Sequence, residues 1–310
     1  MTGARLASVA GHRPANLVSN AELPVPMEEE WVRTRTGIRT RAYATESLVE
    51  MATAAAGKAC AAAGLEPREI DLLILATCTM PTSMPGGAPQ VAAALGIRCA
   101  AFDLNSACAG FSTALAIAAD SVKGGSARNV LVIGADRFSG WLDWEFPKVS
   151  VLFGDGAGAA VVTSSESDEF GIGPVVWGSD GTGAPLIRID EETHLVAMDG
   201  PAVYRWATAA VAPVARAACE AAGVAIADLA AFVPHQANLR IVASLAKALG
   251  LGPDCVVADD VTELGNTSAG SIPLALARLR DEGRVAPGGA ALLIGFGAGL
   301  TWSAQVVRIP

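Results

Sequence analysis

Among the six cysteines and three histidines of this 310-residue chain, one of each stands where a reaction could be run. Cys108 lies in Asn105-Ser-Ala-Cys-Ala-Gly-Phe111, between an apolar strand around Ala101 to Leu104 and a helix from about Ala109 to Val122. At a helix N-terminus the dipole and free N–H groups favour the thiolate, so the spacing predicts a thiol whose pKa is lowered. The plain alternative is a buried small hydrophobe. His235 lies in Val233-Pro-His-Gln-Ala-Asn-Leu-Arg240, where Pro234 ends a strand and leaves the imidazole at its C-terminal end. Open α/β sheets place their chemistry at such ends, although a lone histidine also serves as a structural residue. A third segment, Leu264-Gly-Asn-Thr-Ser-Ala-Gly270, turns into a helix over Ile272 to Leu279. Its plain role is a helix cap by Asn266, Thr267 or Ser268. The other cysteines are spread singly, with no Cys-x-x-Cys and no histidine at ligand spacing, so neither disulfides nor a metal site is expected.

The elements that must hold these residues come in two similar sets. Cys60-Ala-Ala-Ala-Gly64 and Cys219-Glu-Ala-Ala-Gly223 each close an Ala-rich helix, and each is followed by an apolar segment, Ile70 to Ala76 and Leu229 to Pro234. Both halves continue through a helix ending in Leu-Gly, a short strand, a polar turn, a second helix and a strand, Val130 to Ile133 or Ala291 to Ile294. Alternating strands and helices imply parallel βαβ units, and the doubling implies two intimately packed halves, 1–165 and 166–310, in helix, sheet, helix, sheet and helix layers. Ser47-Leu-Val-Glu50 has capping-box spacing at the start of the first Ala-rich helix, and Gly64 falls at its C-terminal left-handed position.

Composition removes several functions. The net charge of -9 disfavours a nucleic-acid partner. The longest apolar runs, such as Ala114 to Ala119 and Leu72 to Ala76, fall far short of the roughly 18 residues of a membrane span. Residues 1–14 lack the apolar core of a secretory signal, so a cytoplasmic protein is expected. Phe153-Gly-Asp-Gly-Ala-Gly158 and Ile294-Gly-Phe-Gly-Ala-Gly299 have the spacing of neither a dinucleotide fingerprint nor a P-loop. The first reads as a tight turn that needs glycine, and the second as a source of backbone N–H groups for an oxyanion hole.

In order along the whole chain, Glu30-Trp-Val-Arg-Thr-Arg-Thr-Gly-Ile-Arg39, Ala107-Cys-Ala-Gly-Phe111, Phe153-Gly-Asp-Gly-Ala-Gly-Ala-Ala160, Val233-Pro-His-Gln-Ala-Asn-Leu-Arg240, Gly265-Asn-Thr-Ser268 and Phe296-Gly-Ala-Gly-Leu-Thr-Trp302 resemble the β-ketoacyl-acyl-carrier-protein synthase III family. The resemblance implies an α/β, thiolase-like, five-layered αβαβα fold and an initiating condensing enzyme. Cys108 would take an acyl group from coenzyme A, and His235 with Asn266 would stabilise the enolate formed when malonyl-carrier protein loses carbon dioxide. The Cys108 and Ala298 N–H groups would form the oxyanion hole. Trp31, Arg35, Gly200 and Asn238 would bind coenzyme A, a substrate rather than a resident cofactor. Phe296 and Met84 would bound the acyl pocket, Met84 from across a homodimer interface. Arg205, Arg240 and Lys247 form a basic patch that would receive an acidic carrier protein. No metal is implied.

The chain departs from the family pattern in places. The usual Asp-Arg-x-Thr before the Phe-Gly-Asp-Gly segment is Phe146-Pro-Lys-Val149, which leaves Lys148 as a partial substitute for a nucleotide-binding arginine. The asparagine usually found after the position of Gly200 is Pro201. Trp141 and Trp144, with Met84, suggest a primer bulkier than acetyl; the plain alternative for the two tryptophans is core or interface packing. Two alternatives share the fold: an acyltransferase that passes an acyl group to an alcohol, amine or carrier, and a non-catalytic ketosynthase partner.

Overall fold

The computed structural model describes residues 3–165 and 171–310 of the chain. The first sheet takes β1 (Gly3–His12), β4 (Leu72–Ala76), β5 (Ala100–Leu104), β6 (Asn129–Arg137) and β7 (Asp155–Ser165), in the order β1-β7-β6-β4-β5. The second takes β8 (Val176–Ser179), β11 (Ala231–Pro234), β12 (Val256–Val257), β13 (Ala290–Gly297) and β14 (Thr301–Arg308), in the order β12-β11-β13-β14-β8. In each sheet the centre is parallel, β5-β4-β6 and β12-β11-β13, and antiparallel strands complete the other side. Two small antiparallel pairs, β2 (Leu17–Ser19) with β3 (Thr40–Ala42) and β9 (Ile187–Ile189) with β10 (Val196–Met198), lie outside the main sheets.

Packing stacks the elements into five layers. One cluster joins Phe111, Ala114, Leu115 and Ala118 of α4 (Gly110–Lys123) and Ile272, Ala275 and Leu276 of α9 (Ser271–Asp281) to inner faces of both sheets, Ile74 and Val132 on one side, Val233 and Leu293 on the other. A second cluster lays α2 (Leu48–Ala63) and α3 (Gly87–Ala94) on the outer face of the first sheet through Met51, Ala55, Val91, Leu73 and Ile133. A third lays α6 (Gly200–Ala221) and α7 (Leu239–Leu249) on the second through Val211, Ile241, Leu245, Leu292 and Ile294. Strands buried on both faces explain the continuous apolar runs of β4, β6 and β13, which show no alternation. The shorter helices are α1 (Glu29–Thr36), α5 (Pro147–Ser150) and α8 (Val261–Leu264). No helix among the described residues is long and apolar enough to cross a membrane.

Local signals in the sequence hold. Ser47 caps α2 with the reciprocal Glu50 bonds of a capping box, and Gly64 ends the helix at φ 68°. The boundary expected between 165 and 166 abuts residues 166–170, which lie outside the described residues.

The Gly-rich segment Phe153 to Gly158 is not the expected tight turn. From Asp155 it is the start of β7, and its glycines answer to close packing. A Cβ at Gly156 would meet Leu274 Cδ1 at 2.8 Å, and one at Gly158 would meet Pro273 Cβ at 2.7 Å. The partner, α9, is more than 100 residues away in sequence, so the requirement is not visible locally.

Candidate active site

Cys108 occupies a single 3-10 turn, Ala107–Ala109, that leads from β5 into α4. Asn105 Oδ1 accepts the Ala107 N–H at 3.1 Å and Ala107 takes a left-handed φ of 44°, which turns the chain sharply and projects the next residue into a cavity. The second sheet lies against this turn. A Cβ on Gly295 would come within 2.7 Å of Ala109 Cα, and one on Gly297 within 2.8 Å of Cys108 Cβ and 3.1 Å of its sulfur. Only glycine lets β13 approach so closely.

His235 leaves the end of β11, its N–H donating to Ile294 O at 2.8 Å, so the parallel ladder runs into the site. Its ring is 2% exposed, stands edge-on to Phe296 with centroids 5.3 Å apart, and sets Nδ1 2.8 Å from Ser271 Oγ. Burial pulls its pKa down to about 3, which keeps the imidazole neutral. Ser271 Oγ already accepts the Gln236 N–H at 3.3 Å, so its proton is available to Nδ1, and that tautomer carries N–H on Nε2.

Asn266 forms an isolated parallel bridge with Phe153, and its backbone is pinned by Asn266 N–H to Leu152 O and Gly154 N–H to Asn266 O. Its Oδ1 accepts the Ser268 N–H at 2.9 Å, which leaves the amide NH2 as the group free to donate. This is a cap-like contact of the kind expected for a polar turn, made by the same residue that faces the cavity.

One cavity of about 660 Å³ is lined by Cys108, His235, Asn266, Phe296 and Gly297 on its floor, and by Trp31, Arg35, Lys148, Gly200, Tyr204, Arg205, Asn238 and Arg240 on its walls and mouth. Trp31 and Arg35, four apart on α1, share a helix face. Arg33 between them is tied to Glu30 at 2.8 Å, whereas Arg35, Lys148 and Arg205 have no ion-pair partner among the described residues. Asn238, which lines the cavity, caps α7, accepting the Ile241 N–H at 3.0 Å through Oδ1, which leaves its NH2 as the group free to donate. Arg240 lies over the Tyr204 ring at 5.2 Å. Among the described residues, no three His, Cys, Asp or Glu side chains are grouped to hold a metal ion.

The fold and these motifs have close counterparts. Residues 102–181 match the model of 3-oxoacyl-[acyl-carrier-protein] synthase III, and residues 219–309 match that of its C-terminal part. A β-ketoacyl-[acyl-carrier-protein] synthase III of Streptomyces coelicolor is 49% identical over 314 residues, covering 99% of both chains. The chain belongs to the β-ketoacyl-[acyl-carrier-protein] synthase III family. A second synthase III, from Streptomyces avermitilis, is 48% identical and covers 100% of both chains. Among solved structures, the priming β-ketosynthase of the R1128 polyketide pathway superimposes with a TM-score of 0.95 at 44% identity, covering 99% of this chain and 96% of that one. Synthase III from Pseudomonas aeruginosa gives 0.94 at 37%, covering 99% and 98%. The fold is therefore thiolase-like, and the protein is an initiating condensing enzyme, an acyltransferase, of fatty-acid or polyketide synthesis.

Two expectations, the acidity of Cys108 and the place of the two tryptophans, change on contact with the structure. The Cys108 thiol is not made more acidic than usual. Burial pushes it up to about 12, the Asp136 carboxylate pushes the same way, and only the Ser268 hydroxyl and the local backbone oppose them. The helix N-terminus is real, but desolvation is the larger effect. Trp141 and Trp144 do not line the cavity. They pack behind it with Phe138, Leu142 and Phe153, Trp144 edge-on to Tyr43 at 6.4 Å. Met84, expected to act across a homodimer interface, is 85% exposed and lies off this chain's own cavity, and Ala298 directly follows Gly297, which lines it at the end of β13. Lys247 shares the Arg240 face of α7, two turns away from the cavity mouth.

Sequence reasoning missed two buried groups. Asp136, on β6, is fully buried and accepts from Thr77 Oγ1 (3.0 Å), Cys78 N (2.9 Å), Thr79 Oγ1 (2.8 Å) and Ala269 N (3.0 Å), tying the floor of the site together. Ser268 is fully buried, with Oγ 3.4 Å from Cys108 Sγ and 3.7 Å from Cys78 Sγ. A signal for the second was present: Asn105-Ser-Ala-Cys-Ala-Gly and Asn266-Thr-Ser-Ala-Gly-Ser are the same turn written twice.

Proposed function

We propose that the enzyme condenses an acyl-coenzyme A primer with malonyl-carrier protein through an acyl-Cys108 intermediate. The observation that carries this reading is the convergence of a thiol, a neutral imidazole and an oriented amide on one cavity floor. Cys108 sulfur attacks the primer's thioester carbon, the carbon to coenzyme A sulfur bond breaks, and the departing thiolate takes up the proton that Cys108 loses. The malonyl thioester then enters. Its carbonyl oxygen accepts from His235 Nε2–H and the Asn266 NH2, so that the electron pair released with carbon dioxide is held as an enolate. The enolate carbon attacks the acyl-Cys108 carbonyl, whose oxyanion is received by the Cys108 and Ala298 N–H groups. Collapse expels the Cys108 thiolate and frees the β-ketoacyl carrier. Losing one such donor typically costs about 3 kcal/mol of transition-state stabilisation.

The mouth supports the substrate assignment. Trp31, Arg35, Gly200 and Asn238 would hold the coenzyme A arm, with Lys148 as a point charge on its phosphates. Arg205 and Arg240, continued by Lys247, would meet an acidic carrier, governing encounter rate more than affinity. The cytoplasm, where these substrates are made, is the proposed compartment. We further read the β5 edge as the homodimer contact: it ends the first sheet, carries Phe102 at 41% exposure, and would bring Met84 towards a partner's acyl pocket, where Phe296 forms one wall. With the tryptophans behind the cavity, the case for a bulky primer rests on Met84 alone.

The test is intact-protein mass spectrometry of wild type and Cys108→Ala after a panel of acyl-coenzyme A species, then malonyl-carrier protein. The expected result is a Cys108-dependent adduct that discharges as a longer β-ketoacyl product. An adduct that ignores malonyl-carrier protein would indicate an acyltransferase to another acceptor, and no adduct from any donor a non-catalytic partner.

A further inference from the structure

We propose that Ser268 is a catalytic residue, whose hydroxyl donates a hydrogen bond to the Cys108 sulfur whenever that sulfur carries negative charge. The inference rests on Cys108 being the acylated nucleophile. Its first support is position: Ser268 Oγ is 3.4 Å from Cys108 Sγ, within reach of a donor to sulfur, and the serine is fully buried; the Asp136 carboxylate and the Cys78 sulfur at 3.7 Å are the other acceptors beside its hydroxyl, and a charged Cys108 sulfur draws the bond from them.

The second support is that the backbone is held in an uncommon conformation to put the hydroxyl there. Ser268 has φ 49°, a left-handed value that a non-glycine residue takes only when its surroundings require it. Three contacts impose it. Its N–H is taken by Asn266 Oδ1, the next N–H donates to Asp136 at 3.0 Å, and the turn is pressed so tightly on the first sheet that a Cβ at Gly134 would come within 2.2 Å of Ala269 O. The corresponding residue before α4 is Ala107, with the same conformation and no hydroxyl. A serine is therefore not what this turn needs in order to form.

The third support is electrostatic. The groups around the Cys108 sulfur are the Cys78 thiol, the buried Asp136 carboxylate, the neutral His235 and Ser268. Burial and Asp136 both disfavour a thiolate, and Ser268 is the side chain that favours it. A thioester sulfur is a poor acceptor and a thiolate a strong one, so the hydrogen bond strengthens as charge develops. It would act twice: as the thiolate forms and attacks the primer, and as the carbon to Cys108 sulfur bond breaks and the electron pair returns to sulfur. The Ser268 O–H bond is not broken in either step.

The experiment is iodoacetamide alkylation of the full-length protein across pH 6 to 10, with Cys108 occupancy read by peptide mass spectrometry, in wild type, Ser268→Ala and Ser268→Gly. Glycine accepts φ 49° without strain, so it removes the hydroxyl and keeps the turn. We expect both variants to alkylate about tenfold or more slowly at pH 8, in line with loss of a charge-assisted hydrogen bond. Acylation and malonyl-dependent discharge should slow by similar factors. A Ser268→Gly rate within twofold of wild type would overturn the assignment, whatever the alanine variant does, because any loss would then belong to the backbone. Alkylation needs no thioester, so the two proposals fail separately. If no acyl donor loads Cys108 but alkylation depends on Ser268, the condensing reaction fails alone; if Cys108 loads and alkylation ignores Ser268, the hydrogen bond does.

Discussion

The starts of the two central helices are the same device used for two purposes. Before α4, Asn105 accepts from Ala107 N, Ala107 stands at φ 44°, and a 3-10 turn delivers Cys108. Before α9, Asn266 accepts from Ser268 N, Ser268 stands at φ 49°, and a 3-10 turn delivers Ala269. Each turn is pinned by a glycine on the sheet it faces, Gly295 against Ala109 and Gly134 against Ala269. Similar scaffolding, facing itself across the middle layer, lets one copy present the proposed nucleophile while the other presents an amide, a hydroxyl and, through Ser271, the partner of His235. On the proposed mechanism, the division of labour between the two turns needs little change of backbone, only of the side chains mounted on it.

The comparison predicts that loss of the Asn266 amide will fall on the second half-reaction, whereas loss of the Ser268 hydroxyl on the same turn falls on both. Asn266→Ala should lower malonyl-dependent discharge by about 100- to 1,000-fold, the loss of one preorganised donor, while Cys108 acylation stays within a few-fold of wild type. Single-turnover mass spectrometry of each half-reaction reads this directly, and equal losses in both would show that Asn266 acts through the Ser268 turn it caps rather than as a donor in the second step.

Stability should respond alike at the two pins. Gly134→Ala would place its Cβ 2.2 Å from Ala269 O, and Gly295→Ala would place its own 2.7 Å from Ala109 Cα, both against backbone that cannot swing away. We expect each to destabilise by about 3 kcal/mol, the upper part of the usual range for overpacking, seen as a drop in denaturant midpoint. A large loss at only one would mean that the two turns are not equally constrained.

The pH dependence sharpens the same picture. With the thiol pushed up to about 12, the thiolate fraction of Cys108 should rise about tenfold per pH unit from pH 6 to 9, and alkylation with it. With His235 held down near 3, the imidazole stays neutral across that range and contributes no inflection. A plateau beginning below pH 8 would contradict the burial-dominated thiol. The smallest effect is expected at Ala107→Gly. Relief of left-handed strain should raise stability by about 0.5–1 kcal/mol, with Cys108 alkylation changed less than twofold, because Ala107 has no group to lose.

Much of the frame is local in origin and was readable as such. Ser47, Glu50 and Gly64 mark the two ends of α2 because capping is satisfied within a few residues. The repeated Ala-rich helices and apolar strands give two βαβ halves for the same reason. The motifs around Cys108, His235 and Asn266 were legible because strand ends and polar turns carry type and spacing in sequence. The Gly-rich segment at 153–158 differs from its sequence reading because the atoms that exclude a Cβ there belong to α8 and α9, far away in sequence. The sequence leaves Trp141 and Trp144 between an acyl pocket and core packing, because Phe153 and Val196, which help settle it for packing, join their cluster only in the fold.

By itself, then, the sequence determined the alternation of strands and helices, the doubling, the helix ends and the three turns that meet at the cavity, since each depends on interactions spanning at most a few residues. Tertiary structure alone decided the state of the groups inside it. The thiol's acidity follows from how much water the two halves exclude and from Asp136 beneath it, and the place of Ser268 follows from one helix start facing the other across the middle layer. Desolvation and through-space contact are properties of the assembled core, and no window of sequence contains them.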